Sequence, residues 1–261
     1  MKFLKSLFVF TLLFLSASGI FAQSKTADST NILKSQKPSI VFVHGLWADG
    51  SCWNGVIEKL QSEGYNVISA QNPTTSLEDD VAATKKALDR TQGPVILVGH
   101  SWGGFVITEA GNDPRVVGLV YVAAFAPDAN ENSMDLLGMA AGNNLTKYFV
   151  VNNGFITLTK DGVKNAFAAD LSAKQQLALY ATQTPAAQSV FGAKNSAAAW
   201  KTKPSWYIVA KQDEAINPDL ERLLAKRIKA TTIEVNSSHV VMLSKPNEVL
   251  KMIHEAASHK Y

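Results

Sequence analysis

Pro94 to Gly99 reads PVILVG, a run with no polar side chain, and it leads straight into Gly99-His100-Ser101-Trp102-Gly103. A strand that is apolar on both faces must be covered on both faces. The run therefore predicts a central strand of a parallel sheet between two layers of helices. The pentapeptide fits G-x-S-x-G, in which a serine occupies a sharp turn from strand to helix and its hydroxyl projects from the sheet. Phe105 to Ala110 then starts a helix, which supplies the context that the motif requires.

The rest of the chain repeats this rhythm. Strands are expected at Ser39 to Val43, Tyr65 to Ala70, Val116 to Phe125, Ser205 to Ala210 and Thr231 to Val235. Between them, Cys52 to Glu63 carries Val56, Ile57 and Leu60 at helical spacing and is closed by Gly64. A helix opens at Ser76, with Asp79 three residues on as in a near capping box, and Gly93-Pro94 ends it. Further helices are expected at Pro218 to Lys229 and Pro246 to Ser258, and the group Asp79, Asp80, Lys85, Lys86 marks a solvated helix face. The expected fold is α/β, a mostly parallel doubly wound sheet of about six strands. Residues 126–204 break the rhythm, being far longer than the roughly dozen residues of a crossover. Residues 128–203 are expected to form an inserted helical cap, with 38–127 and 204–261 as the core.

A serine hydroxyl becomes a useful nucleophile only when a base takes its proton. Of five histidines, His44 and His100 lie in Gly-containing turns and His254 and His259 on the terminal helix, which leaves His239, just after the last strand. The carboxylate that holds such a base should follow the penultimate strand. Asp213 is there, with Glu214 and Asp128 as rivals. Oxyanion donors are expected at the backbone amides of Trp102, after the serine, and of Leu46, after the first strand. A cap over this end of the sheet would close an apolar pocket, with Trp47, Trp102, Phe125, Phe149, Phe167, Phe191, Trp200 and Val240 as candidate walls. No H-E-x-x-H, Cys/His cluster or phosphate-binding glycine motif is present, so no metal or cofactor is expected.

The stretches HGLWADGSCW, VGHSWGG, GLVYVAAFAPD, WYIVAKQDEAINPD and NSSHVVMLSKP resemble the α/β-hydrolase superfamily, in a bacterial secreted branch near plant methylesterases and hydroxynitrile lyases. The resemblance runs from about Lys37 to the C-terminus. It implies Ser101, Asp213 and His239 as a catalytic triad, with Leu46 and Trp102 as oxyanion amides. Hydroxynitrile lyases carry threonine after the first-loop histidine and lysine after the catalytic histidine; this chain has Gly45 and Val240, so lyase activity is disfavoured. The function implied is a serine esterase that cleaves carboxylic esters of small, largely apolar substrates through an acyl-enzyme. A receptor-like ligand binder with an idle triad is the alternative, as is a cofactor-free haloperoxidase or lactonase on the same residues.

At the N-terminus, Lys2 and Lys5 precede an apolar run from Leu7 to Leu15 and small residues up to Ala22, the pattern of a secretory signal peptide over 1–22. A polar lead-in follows over 23–37. The expected protein is secreted or periplasmic, without stable membrane insertion after cleavage. The formal charge of +3 includes Lys2 and Lys5, so the remaining chain is close to neutral and gives no reason to expect nucleic acid as partner. Cys52 is the single cysteine and cannot form an internal disulfide, but with 46% hydrophobic residues a core of this size needs none. The sequence carries no signal for oligomeric state.

Overall fold

Residues 37–140, 142 and 144–261 are described by the computed structural model, so the expected signal segment and nearly all of the expected lead-in lie outside the described residues. The main sheet has six strands: β1 (Ser39–Val43), β2 (Val67–Ala70), β3 (Val95–His100), β4 (Val116–Val122), β8 (Ser205–Ala210) and β9 (Thr231–Val235). Their order is β2-β1-β3-β4-β8-β9 and every pair is parallel. Every residue of β1, β3 and β8 is buried, whereas the edge strand β9 (TTIEV) buries only Val235. Apolar sequence is thus spent where both faces are covered. The covering helices are α1 (Asn54–Ser62), α2 (Leu77–Leu88), α3 (Gly103–Ala110), α6 (Pro218–Arg227) and α7 (Pro246–Ser258). The α1 and α7 helices pack together over the sheet, α2 packs with α3, and α6 lies on β8.

Two boundaries move for local reasons. The fourth strand stops at Val122, three residues before the expected Phe125, because Ala123 turns to φ 43°. The helix expected from Cys52 begins as a tight turn over Gly50–Trp53, capped where Asp49 accepts the Ser51 N–H at 2.7 Å.

The insertion departs further from expectation. It holds α4 (Ser133–Leu137), a π-turn over Val163–Phe167 and α5 (Ala173–Thr182), but also an antiparallel sheet of β5 (Phe149–Asn152), β6 (Phe155–Leu158) and β7 (Ala186–Ala187). The cap is therefore mixed rather than helical. The cause is local: FVVN and FITL flank Asn153-Gly154, whose φ values of 48° and 80° make the tight turn that twists two strands together. Two contacts tie this sheet to the core. Trp47 donates its indole N–H to Ile156 O at 2.9 Å, and Ala187 donates N–H to Thr74 O at 2.9 Å.

Candidate active site

The chain runs from β1 to its neighbour β2 on one side, then returns to place β3 on the other side of β1. Loops leaving β1 and β3 therefore diverge, and a crevice opens between them at the carboxyl end of the sheet. Ser101 stands there, directly after β3, with φ 55°. That conformation is strained for a side chain with a Cβ, and it turns the hydroxyl out of the sheet. It is held by three backbone bonds: Ser101 N–H to Val122 O at 3.3 Å, and Gly104 and Phe125 N–H to Ser101 O at 2.9 and 3.2 Å.

The loop after β1 approaches this turn closely enough to require glycine. A Cβ at Gly45 would lie 2.7 Å from Ser101 Cβ and 2.9 Å from His100 O, so threonine has no room there. On the other flank, a Cβ at Gly103 would lie 2.5 Å from Val43 O. The close contact brings Leu46 and Trp102 to the same cavity wall as Ser101. Among the described residues, neither the Leu46 nor the Trp102 backbone N–H has an acceptor.

His239 follows β9 and lines the same cavity as Ser101. Its Nδ1–H donates to Asp213 Oδ2 at 2.5 Å, and both side chains are almost wholly buried. Because a carboxylate can only accept, this bond fixes the tautomer and leaves Nε2 with its lone pair free for a proton. The other Asp213 oxygen, Oδ1, accepts the Ala215 and Ile216 N–H groups at 2.7 and 2.9 Å. The loops that carry the two residues are joined by Gln212 N–H to Ser237 O at 3.0 Å. The rival acids are elsewhere: Asp128 pairs with Lys201 at 2.5 Å, which lowers its pKa, and Glu214 accepts from Asn144.

Two buried groups support this pair. His100 donates Nε2–H to His239 O at 3.0 Å, and burial together with His239 holds its pKa well below the usual histidine range, so it stays neutral. Glu221, fully buried on α6, accepts the Ala210 N–H at 2.9 Å. Burial and the adjacent Asp213 raise its pKa well above the carboxylate range, so it adds no second negative charge beside Asp213.

The cavity measures about 480 Å³, and no Asp, Glu, Lys or Arg side chain lines it. Of the expected walls, Leu46, Trp47, Trp102, Phe125, Phe149 and Phe191 line it; Met134, Leu137 and Ile156 were not anticipated. Phe167, Trp200 and Val240 do not line it. Phe167 is buried behind, its ring 5.3 Å from that of His239, Trp200 turns its indole to Pro127 O at 2.7 Å, and Val240 is wholly buried. Asp80 also departs from expectation. Far from facing solvent it is fully buried, because it shares a helical stripe with Leu77, Val81, Thr84 and Leu88. That spacing was visible in the sequence, but the run of charges around it hid the signal. No group of three or more metal-ligating side chains occurs among the described residues.

Similarity to known proteins agrees with this architecture. The chain is 25% identical over 245 residues to the alpha/beta hydrolase nvfD of Aspergillus novofumigatus, covering 85% of this chain and 97% of that protein. The crystal structure of the pyrethroid hydrolase PytH superposes with a TM-score of 0.74 at 20% identity, over 85% of this chain and 98% of that one. The methylesterase MES16 from Arabidopsis gives 0.68 at 19%, over 85% and 99%. Residues 40–252 match the sequence profile of the alpha/beta hydrolase family, and the chain belongs to that family.

Proposed function

We propose that the protein is a serine esterase that cleaves carboxylic esters of small, uncharged, largely apolar substrates through an acyl-enzyme. The reading is carried by one observation: Ser101 on its strained turn and His239, paired with the buried Asp213, line a single apolar cavity. In the proposed reaction Ser101 Oγ attacks the ester carbonyl as His239 Nε2 takes its proton, and Asp213 stabilises the imidazolium. The carbonyl oxygen, now negative, receives hydrogen bonds from the Leu46 and Trp102 N–H groups. Collapse expels the alcohol, which takes its proton from His239, and a water repeats the sequence to free the acid and restore the serine. A cavity without a fixed charge gives a charged acyl or alcohol group nothing to pair with, which favours neutral substrates.

Hydrolysis of p-nitrophenyl esters by Ser101→Ala, Asp213→Asn and wild type tests the reading. The alanine variant should fall to background, and the asparagine variant should lose about 10⁴-fold in kcat, since its amide cannot hold the same tautomer. Wild-type turnover by Ser101→Ala would refute it. We also propose that residues 1–22 direct export and are removed; the N-terminus of protein recovered from outside the cytoplasm should be Gln23, and an intact Met1 there would count against removal.

A further inference from the structure

A carboxylate buried without a cation must be held by donors, and those donors show what it fixes. Asp80 Oδ2 accepts the Trp102 indole N–H at 2.8 Å, and Oδ1 accepts the Thr74 backbone N–H at 2.8 Å. Each donor leads to a wall of the cavity. Trp102 directly follows Ser101 and is itself nearly fully buried, its ring stacked on Phe105 with centroids 4.8 Å apart. Thr74 stands at φ 55°, its hydroxyl lies within hydrogen-bond distance of both Pro73 O at 2.8 Å and Pro185 O at 2.9 Å, and its carbonyl accepts the Ala187 N–H at 2.9 Å. Ala186 pairs with Ile156, which lines the cavity, so one side chain on α2 is linked through its two donors to the serine turn and to the cap sheet.

We infer that Asp80 is a positioning residue of the active site, its carboxylate fixing the Trp102 indole and, through it, the backbone amide that faces the developing oxyanion. The inference rests on the reading of the Trp102 amide as an oxyanion donor. A helix-capping role does not explain Asp80: Ser76 already caps α2, and both Asp80 oxygens bond outside the helix. Without Asp80 the indole N–H would be a buried donor with no acceptor, and a ring that shifts to satisfy it would pull on the backbone between Ser101 and Gly103. Asparagine is the informative replacement. It keeps the shape but offers one acceptor oxygen to two donors, and it presents its own NH₂ to the other.

Saturation kinetics on a p-nitrophenyl ester, with thermal melts, test this for Asp80→Asn, Trp102→Phe and the double variant. Oxyanion contacts act in the transition state, so each single variant should lower kcat and kcat/KM together, by about tenfold, with little change in KM. The double variant should be no slower than the slower single, because both changes remove one connection. If Asp80→Asn keeps kcat within about twofold of wild type and only its Tm falls, or if the two losses multiply, the inference is overturned. Should Asp80→Asn fail to fold, Trp102→Phe decides: an unchanged kcat overturns it. Ser101→Ala separates the two readings, since an inactive Ser101→Ala beside a fully active Asp80→Asn rejects only the role of Asp80.

Discussion

Ser101 sits at φ 55°, where a residue with a Cβ is strained by about 1–3 kcal/mol, and the three backbone bonds around it hold the turn against that strain. Glycine would relieve it. Ser101→Gly is therefore expected to be more stable than Ser101→Ala by about 1 kcal/mol, both being inactive, and chemical denaturation of the two variants measures the difference. At Asp80 the balance depends on pH. Burial pushes its pKa up to about 6, against the opposing pull of the Trp102 and Thr74 donors and with help from the neighbouring charge of Asp79. A carboxyl whose folded pKa exceeds its unfolded value stabilises the fold most when protonated; that contribution is complete below about pH 4 and is lost as pH rises through 6. Asparagine does not titrate, so the stability of wild type relative to Asp80→Asn should decline between about pH 4 and 7. A pH-independent difference in Tm between the two would mean that Asp80 is not buried as a titrating acid.

Under the proposed function, the cap is the element that would decide which ester fits. Phe149 and Phe191 stand 5.9 Å apart by ring centroids at the cavity wall, and each packs on Trp47. Phe149→Ala or Phe191→Ala should shift the ratio of kcat/KM toward longer acyl chains, each methylene accommodated being worth about 1–3 kcal/mol. Phe167→Ala, behind His239, should leave that ratio alone. An unchanged chain-length profile in the first two variants, with lowered Tm, would make the cap a scaffold only. The core was readable because its signals are local. Continuous apolar runs marked β1, β3 and β8, and G-x-S-x-G marked the turn at Ser101. The positions of His239 and Asp213 could be read from chain order, since each follows a strand of the parallel sheet. The cap was harder, because its strands are short and pair across distance: Ala186 meets Ile156 thirty residues away. Even so, Asn153-Gly154 between two apolar segments, FVVN and FITL, is a hairpin signal, set among Ala- and Gln-rich stretches that read as helix. Trp200 and Phe167 lie off the cavity wall for another reason. A side chain's direction within an irregular segment follows from packing, which periodicity does not encode.

Because β2 and β3 lie on opposite sides of β1, the crevice, the Gly45 loop and Ser101 fall at one point, and the insertion after β4 closes over it. Under the proposed function a single serine is activated, the one at that point. Treatment of the purified protein with a fluorophosphonate, followed by intact-mass and peptide analysis, tests it most directly. A single adduct on Ser101, absent in Ser101→Ala and formed much more slowly in His239→Ala, is the predicted result. An adduct on another residue, or a folded protein whose Ser101 stays unlabelled, would contradict it.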